Sequence, residues 1–137
     1  MTQNNFVIDV NIYVSYIIKG KLDELFIFVL ERDFEVFISS ALIDELSNVL
    51  RRDKFKKYLK KPVNEYLNAV RQFGYYVEPL ALTINSPDTK DDYLFLLALL
   101  TESTIVTGDK TLLNWKQAPA PMASLARFKE MISDKKR

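Results

Sequence analysis

Short apolar runs alternate along this chain with longer stretches whose apolar residues recur at helical spacing. Phe6-Val7-Ile8 reads as a strand that delivers Asp9 at its carboxyl end, and Asn11 to Ile17 reads as the start of a helix despite its β-branched content. Lys21 to Leu30 places Leu22, Leu25, Phe26, Val29 and Leu30 on one helical face. Glu35 to Ile38 is a second strand, closed by Ser39 and Ser40, either of which can cap a helix over Ala41 to Leu50 that carries Glu45 near its second turn. Pro62 to Phe73 is another helix, with Gly74 as its C-cap, and Tyr75-Tyr76-Val77 is a third strand. Leu80 to Pro87 reads as a loop, with Ser86 or Asp88 as a cap and Pro87 early in the next helix.

The apolar run Tyr93 to Leu100 has no polar face, which predicts a helix buried on nearly all sides. Thr104 to Thr107 is β-branched throughout and predicts an inner parallel strand buried on both faces, followed by Gly108 and Asp109. A short helical turn at Leu112 and Leu113 and a loop over Asn114 to Pro121 lead to Met122 to Ser124, either a fifth edge strand or a cap. Leu125 to Ile132 is a closing helix, and the terminal SDKKR should fray. Nothing repeats and no linker divides the chain, so the pattern predicts one domain over residues 1–137, an α/β fold with a parallel sheet covered on both sides.

Composition narrows the chemistry. The net charge of +1 excludes a protein that coats polyanions with its whole surface, so any nucleic-acid contact must come from a local patch. There is no cysteine, which removes disulfides, thiolate zinc sites and thiol catalysis, and no histidine, which removes Ser-His-Asp hydrolysis and imidazole acid–base work. Catalysis, if any, must run on carboxylates. The longest uninterrupted apolar run is too short for a membrane span and no signal peptide is legible, so a soluble cytoplasmic protein is expected.

Four acids fall where a parallel sheet presents its carboxyl edge, the usual ligand side of such sheets: Asp9, Glu45, Asp92 and Asp109. Taken singly, Asp9 could be a capping residue and Glu45 could merely complement a helix dipole. Together they form a set that would repel itself unless a cation neutralises it, and all-oxygen donors favour Mg²⁺ or Mn²⁺. The chemistry natural to such a centre is metal-assisted phosphoryl transfer. Between Arg51 and Lys61, seven of eleven residues are basic, interleaved with Phe55, Tyr58 and Leu59. Such a run is commonly a solvated helix face; the functional alternative is a phosphate-facing patch using Arg51, Arg52, Lys54, Lys56 and Lys57.

FVIDVN near the start, SSALIDELSNVLRRDKF in the middle, and SPDTKDDYLFLLALL followed by IVTGDKTLL resemble, in that order and spacing, the PIN-domain nucleases, and especially the VapC-like toxins of toxin–antitoxin pairs. The resemblance implies a three-layer α/β/α sandwich with a mainly parallel sheet of about five strands. It matches the metal-binding acids of that family to Asp9, Glu45, Asp92 and Asp109, with Asn11 in the place of a supporting Asn. Asp88 and Asp91 match further acidic positions, either of which could support or replace a ligand, and Thr107 precedes the fourth acid. Thr111 stands where many relatives carry another Asp, which bears on a second metal position. The implied activity is that of a Mg²⁺- or Mn²⁺-dependent endoribonuclease leaving 5′-phosphate and 3′-hydroxyl ends, controlled by a separate antitoxin and often homodimeric, with no membrane partner. RNA rather than DNA comes from the resemblance alone.

Two rival readings are weaker. A haloacid-dehalogenase-type phosphatase needs a second Asp two residues after the first, where this chain has Asn11. A partner-binding domain that keeps the fold without turnover is favoured only by Thr111.

Overall fold

A computed structural model describes residues 4–79 and 91–131. The loop expected over Leu80 to Pro87, together with Asp88, Ile132 and the terminal residues expected to fray, lies outside the described residues. The elements run β1 (Asn5–Ile8), α1 (Val10–Ile18), α2 (Leu22–Glu31), β2 (Glu35–Ile38), α3 (Ser40–Leu50), a 3₁₀ turn (Asp53–Tyr58), α4 (Val63–Phe73), β3 (Tyr75–Tyr76), α5 (Asp92–Thr101), β4 (Thr104–Val106), α6 (Lys110–Leu113), β5 (Met122–Ala123) and α7 (Leu125–Glu130). All five strands are parallel, in the order β3-β2-β1-β4-β5. This is the α/β/α sandwich that the alternating pattern implies. Among the described residues no helix is long and apolar enough to cross a membrane.

The chain builds outward from β1 through β2 to β3, then returns to the other side of β1 with β4 and β5. The reversal falls between β1 and β4, and a crevice at the carboxyl ends of those strands is where such sheets bind ligands. Phe6, Val7 and Ile8 on β1 are all fully buried, so side chains on both faces of the central strand are covered. Phe6 packs edge-on against Phe128 of α7 at 4.8 Å and tilted against Phe34 at 4.7 Å. Apolar burial of this kind supplies most of the folding free energy.

Local expectation gives way to packing in several places. Helix α1 forms despite Val10, Ile12, Val14 and Ile17, because Asp9 caps it and those residues with Tyr13 bury one face. Ser39 caps α3 through Leu42 N–H at 3.3 Å, and Ser40 becomes its first residue. Both readings of Met122 to Ser124 hold at once: Met122 and Ala123 pair with β4, and Ser124 caps α7 through Arg127 N–H at 3.1 Å. Helix α5 is not buried all round. Leu94, Phe95, Leu97 and Ala98 face the core, but Leu99 and Leu100 are 41% and 54% exposed. An outer-layer helix keeps a solvent side, and this sequence supplies only leucine for it.

Gly74 ends α4, but in an extended conformation (φ −90°, ψ 161°) and not the left-handed one of a C-cap glycine. Its role is close approach: a Cβ there would lie 2.8 Å from Cγ2 of Ile38, which is fully buried. At this φ, alanine would gain about 0.4–1 kcal/mol by restricting the unfolded chain, whereas overpacking a filled core costs about 1–3 kcal/mol. Gly74→Ala is therefore expected to lower stability in denaturant melts. The cost of Ile38→Ala should be smaller in the Gly74→Ala background than alone, and strict additivity of the two changes would rule out the contact as the cause.

Candidate functional site

At the carboxyl ends of β1 and β4, Asp9 is 5% exposed. Its backbone N–H donates to Val106 O at 2.8 Å, which ties the two strand ends together. One carboxylate oxygen accepts the Asn11 backbone N–H at 3.3 Å, the ordinary N-cap bond of α1, while the other accepts the buried Thr107 hydroxyl at 2.7 Å. The capping and site roles of Asp9 therefore coincide. Thr107 Oγ1 also accepts the Asp109 backbone N–H at 3.1 Å, so one hydroxyl fixes both acids. Asp109 is exposed and caps α6 by accepting the Thr111 N–H at 2.9 Å. Burial raises the Asp9 carboxyl above the usual range; the bonds from Thr107 and Asn11 pull it back only in part, and the Asp109 charge pushes it further up.

Glu45 and Asp91 join Asp9 through a residue that the sequence pattern assigns to the apolar run. Tyr93, second in α5, has its phenol pKa raised by burial first and then by the charges of Asp9, Glu45 and Asp91. Those three charges therefore act on one side chain. Asp92 opens α5, where Asp91 is the N-cap residue. Glu45, Asp91 and Asp92 are each partly exposed. Among the described residues no three acids stand at the spacing of a ready metal cage. Like charges separate when nothing neutralises them, and Asp109 is engaged in capping α6. The signal for Tyr93 was a phenol at the acid-bearing end of a helix, which apolar periodicity hides.

Asn11 contributes its backbone N–H, and the residue is exposed. Asp88 lies outside the described residues. The basic run forms a 3₁₀ turn in place of an extended helix face. Arg51 is engaged with Ser47 at 3.0 Å and Asn64 at 3.2 Å; Lys56 pairs with Asp53 at 3.0 Å, and Lys54 and Lys57 lie over the rings of Phe55 and Tyr58. Arg51, Arg52, Lys54, Lys56 and Lys57 are all exposed. They lie toward the C-terminal ends of α1 and α3, both of which begin at the acid-bearing edge. The length of α1, nine residues or roughly 13 Å, separates that turn from Asp9.

No curated protein matches the chain. Among solved structures it is similar to VapBC2 from Rickettsia felis bound to a DNA fragment from their promoter, with a TM-score of 0.58, 17% identity, and coverage of 88% of this chain and 98% of that one. At that identity the likeness is one of fold. The model of the PIN domain matches residues 5–111, from β1 through Asp109 into α6. The chain belongs to the PIN-domain family.

Proposed function

We propose that this chain is a Mg²⁺- or Mn²⁺-dependent endoribonuclease, the toxin of a toxin–antitoxin pair. The observation that carries the reading is the set of carboxylates around Asp9 and Tyr93 at the β1/β4 crevice of a PIN domain. The donor set fits a hard divalent cation: it is all oxygen, and Asp9 is a buried carboxyl whose ionisation burial opposes. Asp9, Asp92 and Asp109 would hold the ion, with Glu45 on the α3 side. Asp91 is the neighbouring candidate, because its charge acts on Tyr93 alongside those of Asp9 and Glu45. When bound, a divalent ion supplies an activated water and neutralises charge on the phosphate oxygens.

Thr107 keeps Asp9 oriented and ionisable, and Glu45 orients the attacking water. With no histidine in the chain, in-line attack by water leaves 5′-phosphate and 3′-hydroxyl ends. The fold likeness to VapBC2 supports control by a separate antitoxin protein, and the proposal extends to a homodimer acting in the cytoplasm. Family membership leaves the phosphatase reading without support. A binding domain without turnover is favoured only by Thr111, which stands where another Asp would support a second metal position.

Incubating labelled RNA with Mn²⁺, Mg²⁺ or EDTA tests the activity. Asp9→Asn, Asp92→Asn and Asp109→Asn are each expected to abolish cleavage with the fold intact, and normal cleavage by any two of them would sink the assignment. Thermal melts separate the two neighbouring acids. Excess Mn²⁺ should stabilise the parent by about 2.7 kcal/mol at a hundredfold excess over Kd, and Asp92→Asn should lose far more of that shift than Asp91→Asn. The opposite order would put Asp91 in its place.

Acid pH supplies a test that needs no metal. Because burial and Asp109 raise the folded-state pKa of Asp9, the folded protein takes up that proton before the unfolded chain does as pH falls. The destabilisation attached to ionised Asp9 is fully present above the folded pKa and absent below the unfolded one. With EDTA present, Asp9→Asn is expected to be more stable than the parent at about pH 7 and to lose that advantage toward about pH 4. Asparagine retains an acceptor for the α1 cap. A difference independent of pH would show that Asp9 is not strained by its charge.

A further inference from the structure

Away from the carboxylates, an open cavity of about 330 Å³ lies between the C-terminal half of α1, the start of α2 and α7. Lys19, Lys21 and Lys129 line it together with the Ser15 side chain, and Glu24 is the single opposing charge. Tyr16 and Phe28 give it aromatic walls, with Lys129 Nζ 5.8 Å from the centre of the Tyr16 ring. None of the three lysines makes a salt bridge among the described residues. Lys21 occupies the N-cap position of α2 and supplies no side-chain cap bond. Gly20, at φ +70°, makes the turn that carries Lys19 and Lys21 to either side of it.

Two more cavities meet the same turn. One, of about 270 Å³, joins Gly20 and Leu22 to Tyr58, Lys60 and Lys61; the other, of about 700 Å³, joins Ile18 to Lys54, Lys56 and Lys57. Together the three cavities hold eight lysines against Asp23, Glu24, Asp53 and Glu65, an excess of four positive charges in a chain whose net charge is +1. A stripe of cations with aromatic rings set among them matches a polymer that carries one negative charge on every unit and a flat base beside it.

We infer that the cavity lined by Lys19, Lys21 and Lys129 binds a backbone phosphate of single-stranded RNA whose scissile bond lies at the carboxylate site. Ammonium groups and the Ser15 hydroxyl face the phosphate, and Tyr16 and Phe28 face the adjoining base. Ser15 and Lys19 stand six and ten residues beyond Asp9 along α1. That is roughly 9–15 Å at the helical rise, or about three to four nucleotides at the ~3.4 Å spacing of a stacked strand. The inference rests on the nuclease reading for its polarity: the pocket holds RNA at a distance from the cut and adds affinity without entering the reaction.

The test compares the parent with the triple variant Lys19→Ala, Lys21→Ala, Lys129→Ala, on RNAs too short to reach the pocket and on RNAs of about twenty nucleotides. For the long RNA, KM should rise several-fold with kcat unchanged; for the short RNA, neither should move. Restoring the charge with arginine at the three positions should recover the lower KM. In a binding assay with labelled long RNA and no metal, the log–log salt slope should fall by about 0.7 units, the value for one phosphate contact on a single strand. That arm reads the pocket even if no RNA is cleaved, so failure of the nuclease reading and failure of the pocket are separable. Equal losses on short and long RNA, or an unchanged salt slope, would overturn the inference in favour of solvated lysines or an acidic protein segment. Binding of adenosine monophosphate that is lost in the variant while long-RNA binding is kept would overturn it in favour of a free nucleotide.

Discussion

A carboxylate that is almost wholly buried at the end of the central strand governs the arrangement of the rest. Removing an unpaired ion from water costs several kcal/mol, while a hydrogen bond to a charged group returns about 1.5–3 kcal/mol. Asp9 receives the Thr107 hydroxyl and the Asn11 amide, yet burial still dominates and its pKa stays raised. The Thr107 bond has a structural corollary. The hydroxyl that serves Asp9 also accepts the Asp109 amide, so β4 must end where it does for the fourth acid to be presented. Parallel pairing of β1 with β4 through Ile8 and Val106 sets that register.

The same constraint connects fold to chemistry. The β1/β4 pair is the place where the order of strands reverses, so no crossover helix fills the space beyond their carboxyl ends. Asp9 follows β1 and Asp109 comes from the loop after β4; Glu45 lies on α3, and Asp91 is the N-cap residue of α5. The four acids are placed by four separate elements, so their spacing depends on how those elements pack. The capping bond of Asp109 to Thr111 is the most exposed member of this network, and therefore the one whose loss disturbs packing least.

Much of this was legible in the sequence because it depends on periodicity. Five strands, their alternation with helices, and the places where Asp9, Glu45 and Asp109 leave the sheet follow from apolar runs and β-branched residues. What was not legible depends on direction and on neighbours distant in the chain. Asp91 and Asp92 are adjacent in sequence, and a helix turns about 100° per residue, so which one faces Asp9 is decided by how α5 docks. Tyr93 reads as one more apolar residue until three acidic charges are found to act on it. Gly74 looks like a C-cap, but Ile38, thirty-six residues earlier, is what excludes its side chain. Leu99 and Leu100 look like core because nothing polar interrupts them, and exposure is a property of the layer, not of the run.

Net charge conceals the layout most completely. A total of +1 describes a chain whose acids gather at the carboxyl edge of the sheet and whose lysines gather around the α1–α2 turn, with the length of α1 between them. That length, roughly 13 Å, exceeds the Debye length of about 8 Å at physiological ionic strength. Charges at the solvent-exposed lysine end are therefore largely screened from the acids, and none is among the causes that shift Asp9. Lys19, Lys21 and Lys129, for their part, form no salt bridge among the described residues. Separation of the two charges along one helix is what lets a nearly neutral protein carry an acid-bearing edge and a lysine-lined surface, the arrangement that the proposed cation site and the proposed RNA contact require.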